Sequence, residues 1–191
     1  MTIGQDGWLF LGSIRPGPQK HKDPMGDAMN INLFTEDQLE EFAHSIMTIK
    51  NWLNSRGIEY VYVIAPNKHT IYFEKLPKYI TKKNDKSATD QLVTYLKEHT
   101  DVHVVDLRQA LFDEKLRHPV YFLKTDSHWN QYGANRAQFE IMKEIQTFFP
   151  EQVSPFLLNN EHFKQASNGG GDLVALANVE HVVEEEPQPI I

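Results

Sequence analysis

The run Glu59-Tyr60-Val61-Tyr62-Val63-Ile64-Ala65, halted by Pro66, constrains the fold more than any other stretch. Its β-branched and aromatic residues favour a strand, and Pro66 cannot donate to a central ladder, so the strand ends there. Helical patterns lie on either side. Thr35 with Gln38 three residues on reads as a capping box. Leu39, Phe42, Ile46, Ile49 and Leu53 then share one face, up to a terminating Gly57. Ala88 to His99 reads as a second helix with Leu92, Tyr95 and Leu96 inward. There follow a strand from Val102 to Leu107, a short helix from Arg108 to Leu116 and an apolar run from Val120 to Leu123. The longest amphipathic pattern, Gln131 to Phe149, directs Ala134, Ala137, Ile141, Ile145 and Phe148 inward. Strands alternating with helices predict an α/β fold, a mainly parallel sheet flanked by helices in a three-layer sandwich. Right-handed crossovers would gather the ends after Ala65, Asp106 and Leu123 at one edge. Lys68 and Asp106 would then approach whatever follows Leu123.

At 191 residues the chain is long enough for one domain with a core. Residues 1–180 are expected to form it, incomplete at its carboxyl end, with 181–191 an acidic, Pro-containing tail. Glu184 to Pro189 reads as a linker, Ser13 to Asn32 as an exposed loop and Ser167 to Leu173 as a flexible one. A net charge of −7 argues against nucleic acid as a partner. The absence of cysteine excludes disulfides, zinc thiolates and a Cys nucleophile. No apolar run reaches the roughly 18 residues of a membrane-spanning helix. The first residues lack the basic and apolar regions of a signal peptide, so the protein is made without one or this is a piece of something longer.

The chemistry-bearing stretch is Asp126-Ser127-His128-Trp129-Asn130, between the apolar run and the longest helix. Open α/β sheets place their sites at such strand ends. A carboxylate at 126 can hold one nitrogen of His128 and leave the other free to take a proton. The same residues also fit a helix cap or a metal pair joined by another histidine. No His-x-x-x-His spacing supports the metal, and no cofactor is implied. Trp129, Tyr72 and Tyr132 are candidates for stacking on sugars or for the core.

Four ordered segments carry a family likeness: Gly4-Gln5-Asp6-Gly7-Trp8-Leu9-Phe10; Ala65-Pro66-Asn67-Lys68 with Ile71-Tyr72 and Leu76-Pro77; Val104-Val105-Asp106-Leu107; and Tyr121 to Asn130 with Tyr132-Gly133-Ala134. Together they resemble the alginate O-acetyltransferase-like branch of the SGNH hydrolase-like proteins, and Gly171-Asp172-Leu173 also fits. The resemblance implies a Ser-His-Asp triad that transfers acetyl groups to hydroxyls of exopolysaccharides outside the cytoplasmic membrane. A membrane-bound partner would supply the acetyl group. Asp126 would orient His128, the general base. Trp129 and Asn130 complete the motif, and beyond what the resemblance assigns, Lys68, Asn67, Trp129, Asn130 and Tyr72 are candidates for the substrate side of the cleft. The family's nucleophilic Ser sits in a Gly-Asp-Ser-like turn downstream. None of Ser13, Ser45, Ser55, Ser87, Ser127, Ser154 and Ser167 lies in such a turn, so the Ser is expected beyond Ile191. A missing strand would leave a sheet edge that a second copy could pair with. The alternative from another class is a carbohydrate-binding domain without chemistry.

Overall fold

The computed structural model describes residues 1–13, 23–115, 122–166, 170–179, 181, 183 and 188–190. In chain order the strands are β1 (Thr2–Ile3), β2 (Leu9–Phe10), β3 (Val61–Ile64), β4 (His103–Asp106), β5 (Lys164–Ala166) and β6 (Gln188–Ile190). The helices are α1 (Pro24–Ala28), α2 (Glu36–Asn54), α3 (Lys68–Ile71), α4 (Ala88–His99), α5 (Arg108–Lys115), α6 (Gln131–Phe148) and α7 (Asp172–Ala177).

β3 pairs in parallel with β4, in register from Val61–His103 to Ile64–Asp106. Alternation along a strand sends its side chains to two faces. Tyr62 and Val104 pack against Leu39, Ala43 and Ile46 of α2 and Leu92 and Leu96 of α4. Val61, Val63 and Val105 pack against Ala137 and Ile141 of α6. Helices therefore cover both faces of a parallel pair, the α/β layering that the sequence pattern predicts. β1–β2 and β5–β6 form separate antiparallel pairs. Among the described residues β3 has a strand on one side only.

Helix ends follow the local chemistry. Thr35 Oγ1 accepts from Gln38 N at 3.3 Å, and Gln38 Oε1 accepts from Thr35 N at 3.0 Å, which satisfies two orphan donors of α2. Past its other end Gly57 takes φ +71°, where a side chain would strain the chain, and Ile58 N closes back on Leu53 O at 3.2 Å. The buried face of α2 is Leu39, Ala43, Ile46 and Lys50. Phe42 and Ile49, expected inward, are 36% and 50% exposed. Lys50 buries its stem and pairs with Asp101 at 2.8 Å.

Three segments expected to be irregular are ordered. Asp23 accepts from Gly26 N at 3.0 Å and starts α1, whose Met25 and Ala28 are buried. Five residues are too few to display a helical period. Asp172 and Leu173, expected in a flexible loop, open α7, and Leu173 and Val174 are fully buried. Gln188–Ile190, expected in a linker, pair with Lys164–Ala166. Conversely, Phe122 forms an isolated bridge to Trp129 and belongs to no strand. Val120, Tyr121, His21, His118, Ser167 and Glu184–Pro187 lie outside the described residues.

Candidate active site

The site is built upward from a buried charge. Lys68 opens α3 and is only 2% exposed. An ammonium inside a protein must spend its protons on acceptors. Lys68 Nζ lies 2.7 Å from Leu9 O, 2.7 Å from Leu123 O, 2.9 Å from Lys124 O and 2.9 Å from Asp126 O. The Trp8 and Phe10 rings stand 5.0 and 5.2 Å from it. Leu9 N also donates to Lys124 O at 2.8 Å. Lys68 thus joins β2 to the bend at 123–126 from below. It gives the bend its shape, and its ammonium does not face a cleft.

On top of this base the bend presents its polar groups. Asp126 Oδ1 accepts from His128 N at 2.8 Å and stands 2.8 Å from His128 Nδ1. With Nδ1–H donating to the carboxylate, Nε2 carries the lone pair. The His128 side chain is 78% exposed, whereas that of Asp126 is 19%. Nε2 has no partner among the described residues. Burial pushes the Asp126 carboxyl up, but hydrogen bonds from His128 and Asp172 outweigh it and hold the group below the usual carboxylate range.

A third residue, from α7, closes over the bend. Asp172 Oδ1 accepts from Ser127 N at 2.6 Å, and Ser127 Oγ donates to Asp172 Oδ2. Asp172 N donates to Asp126 Oδ2 at 3.1 Å. Gly171 N donates to Thr125 Oγ1 at 2.8 Å, and Leu173 N to Thr125 O at 3.0 Å. Asp126, His128 and Asp172 each offer a donor atom within 4.8 Å of the others, a set with the right chemistry for a divalent cation. These atoms are already spent on one another and on Ser127, which favours a proton between Asp126 and His128 over a metal.

The remaining candidates fall elsewhere. Asn130 is the cap of α6, accepting from Tyr132 N at 3.0 Å and Gly133 N at 3.2 Å. Trp129 is half-buried and packs between two core clusters. Tyr72 is 1% exposed, with its ring 4.3 Å from that of Trp8 and 6.0 Å from that of Phe122. That burial corrects the expectation of a sugar platform at Tyr72, as the four carbonyls correct that of a substrate contact at Lys68. Asn67 is exposed and lines a groove of about 1010 Å³, together with Phe34, Tyr62, Arg108 and Phe112. His128 is not part of that groove. Asp106, expected to approach the pair, is held by Arg108. Asp172 was not singled out from the sequence for a role. Its one signal was Gly171-Asp172-Leu173 among the matching segments.

The same residues set the chain among known proteins. Residues 1–190 match the family described as SGNH hydrolase-like domain, acetyltransferase AlgX. The chain belongs to this family. Within the AlgX-type family it is 26% identical over 153 residues to the probable alginate O-acetylase AlgJ of Pseudomonas aeruginosa, covering 76% of this chain and 33% of that protein. It is 27% identical over 140 residues to the probable alginate O-acetylase AlgJ of Pseudomonas putida, covering 72% and 31%. The chain therefore spans about a third of the length of these curated relatives. Its fold matches the O-acetyltransferase domain of Pseudomonas putida AlgJ with a TM-score of 0.63 at 21% identity, over 99% of this chain and 63% of that one. It also matches Bacillus cereus PatB1, with a TM-score of 0.52 at 16% identity, over 82% of this chain and 49% of that one. At these identities the two structures speak for the fold, which is that of an SGNH-like AlgX-type domain.

Proposed function

We propose that this AlgX-type chain supplies the acid–base pair of a polysaccharide O-acetyltransferase. The observation that carries the reading is the division of His128. Its Nδ1 is held 2.8 Å from the Asp126 carboxylate, and its Nε2 looks outward from a side chain that is 78% exposed. Nε2 takes the proton of a hydroxyl as that oxygen attacks the acetyl carbonyl. The imidazolium so formed is stabilised by Asp126, and it returns the proton to the departing oxygen. The Ser127 hydroxyl is engaged by Asp172, so the hydroxyl nucleophile is a serine other than Ser127.

The acceptor is a hydroxyl of an exopolysaccharide, in keeping with the alginate O-acetylases to which the chain is similar. The acetyl donor is a membrane-bound partner, and the reaction is extracytoplasmic. The open side of β3 accepts a further strand, from more of the domain or from a second copy.

Acetyl release from an activated ester tests the reading on two polypeptides, this chain and a longer form with a downstream Gly-Asp-Ser-like turn. The longer form turns over and its His128→Ala variant does not. A longer form that is inert, or indifferent to His128→Ala, ends the catalytic reading.

A further inference from the structure

The contacts around α7 go further than an acid–base pair. Three groups compete at His128 Nδ1. Asp126 Oδ1 lies 2.8 Å away, Ser127 Oγ 3.4 Å and Asp172 Oδ2 3.6 Å. Nδ1 has one proton to donate in the neutral ring, so only one arrangement leaves Nε2 as the base. If the Ser127 hydroxyl turned to donate to Nδ1, the ring proton would have to sit on Nε2, and the site would be closed. Asp126 Oδ1 opposes this by accepting from Nδ1, and the carboxylate of Asp172 opposes it by taking both the N–H and the O–H of Ser127.

The approach is permitted by one small residue. A Cβ on Gly171 would stand 2.6 Å from Asp126 Cα and 2.7 Å from Asp126 N, both backbone atoms that cannot step aside. Gly171 φ is −92°, an ordinary value for any residue, so the requirement is space and not conformation. With no side chain at 171, the start of α7 lies directly on the bend. Gly171 N and Leu173 N then hold Thr125, and Asp172 N reaches Asp126 Oδ2. One oxygen of Asp126 is thereby fixed from above, and the other is left for His128.

We propose that Asp172 is a positioning residue of the site, acting through Ser127 and Asp126 to hold His128 in the tautomer with Nε2 unprotonated. It touches neither acceptor nor acetyl group. The inference rests on His128 being the general base.

Two measurements test it independently of each other. Nitrogen-resolved NMR of this chain reads which ring nitrogen of His128 is protonated. The proton resides on Nδ1 in the native chain, and in Asp172→Ala the signal shifts toward a mixture of the two forms. Asp172→Ala with Ser127→Ala restores it, since the competing hydroxyl is gone. A tautomer unchanged in Asp172→Ala overturns the proposal, whatever the activity. In the longer, active form Asp172→Ala lowers kcat on the order of 10²-fold, the scale of a catalytic group misplaced by about 1 Å, with KM within about twofold. In the His128→Ala background the same change does nothing further, because its effect passes through that ring. Losses that multiply in the double variant overturn it, since a residue that only supports the fold would behave that way. Gly171→Ala reproduces the Asp172→Ala tautomer shift with the carboxylate still present, and a normal tautomer there also counts against the proposal. If the longer form is inert the general-base reading fails, while the NMR result still reports whether Asp172 sets the ring.

Discussion

Asp106-Leu107-Arg108 and Asp126-Ser127-His128 are the same device at two bends of this protein, an acid followed two residues later by a basic group. One contact is common to both, Oδ1 of the acid accepting the N–H two residues on, at 3.1 Å in one case and 2.8 Å in the other. The side chains part company. Arg108 Nε lies 3.0 Å from both oxygens of Asp106, its second arm lies 2.7 Å from Asp106 Oδ2, and its third reaches Asp90 at 2.8 Å and Ser87 Oγ at 3.3 Å. Its side chain is 17% exposed. Burial opposes the guanidinium charge, and Asp106 and Asp90 outweigh burial. His128 has two nitrogens, spends one on Asp126 and extends the other into solvent. The difference lies in what is left over. A fork with all three nitrogens engaged is a clamp, and a ring with a spare lone pair is an acid–base group.

Exchanging stability for activity at the two bends should break the comparison if it is false. On the proposed function, His128→Ala lowers acetyl transfer on the order of 10³-fold or more in any polypeptide that joins this chain to the nucleophilic serine, as general-base losses do. It changes unfolding free energy by less than about 0.5 kcal/mol, because the ring is exposed. Arg108→Ala does the reverse. It strands the partly buried Asp106 and Asp90 carboxylates and costs about 3 kcal/mol in denaturant unfolding, while kcat of the folded fraction stays near wild type. If Arg108→Ala silences the folded enzyme, or His128→Ala unfolds it, the two bends have been assigned the wrong way round.

Acid should act on both bends with the same sign. The Asp126 and Asp90 carboxyls are both held below their ordinary range. At each, burial works the other way and is overcome, by His128 and Asp172 at the first and by Ser87 and Arg108 at the second. A group with a depressed folded pKa stabilises the protein above its unfolded value, near 3.9 for Asp, and loses that contribution as pH falls through the folded value. Unfolding midpoints should therefore be flat above about pH 5 on account of these two groups and fall below about pH 4. Carboxyl carbon NMR titrations should place both Asp90 and Asp126 below the range usual for an aspartate, near 3.9. A normal titration of Asp126 with a depressed Asp90 would mean that the His128 bend is not preorganised.

The elements were far more legible in the sequence than the roles of individual side chains. α4 is bounded as the Leu92, Tyr95 and Leu96 spacing predicts, and its capping Ser87 confirms the start, since such signals are local. The buried face of α2 differs from the expected one because Phe42 and Ile49 outweigh the small Ala43 in the pattern and Lys50 carries a charge. Ala43 fits a tight contact, and Lys50 hides its stem while its charge reaches Asp101. Lys68 and Tyr72 sit in a segment whose motif suggests a cleft. Whether a charge faces water or carbonyls depends on Leu9 and Leu123, which are distant in the chain. The Asp126–His128 pair could be foreseen as one of several readings because its partners are two residues apart. Asp172 lies 45 residues from Ser127, in a glycine-rich stretch that resembles a loop, and only the packing of α7 on the bend reveals it.

The smallest effect separates the two acceptors of the bend itself. Residues before a helix are commonly caps, and both Asp126 and Asn130 precede α6. Asn130 takes that task, accepting from the amides of Tyr132 and Gly133, and so leaves Asp126 free for the ring. Asn130→Ala should cost about 1 kcal/mol and speed amide exchange in the first turn of α6, with little change in the His128 tautomer. Asp126→Ala should do the opposite, releasing the ring while the first turn of α6 keeps its protection. Amide exchange and ring nitrogen shifts measured on both variants decide the matter. Loss of α6 protection in Asp126→Ala would make Asp126 a cap and would remove what distinguishes this bend from the one at Arg108.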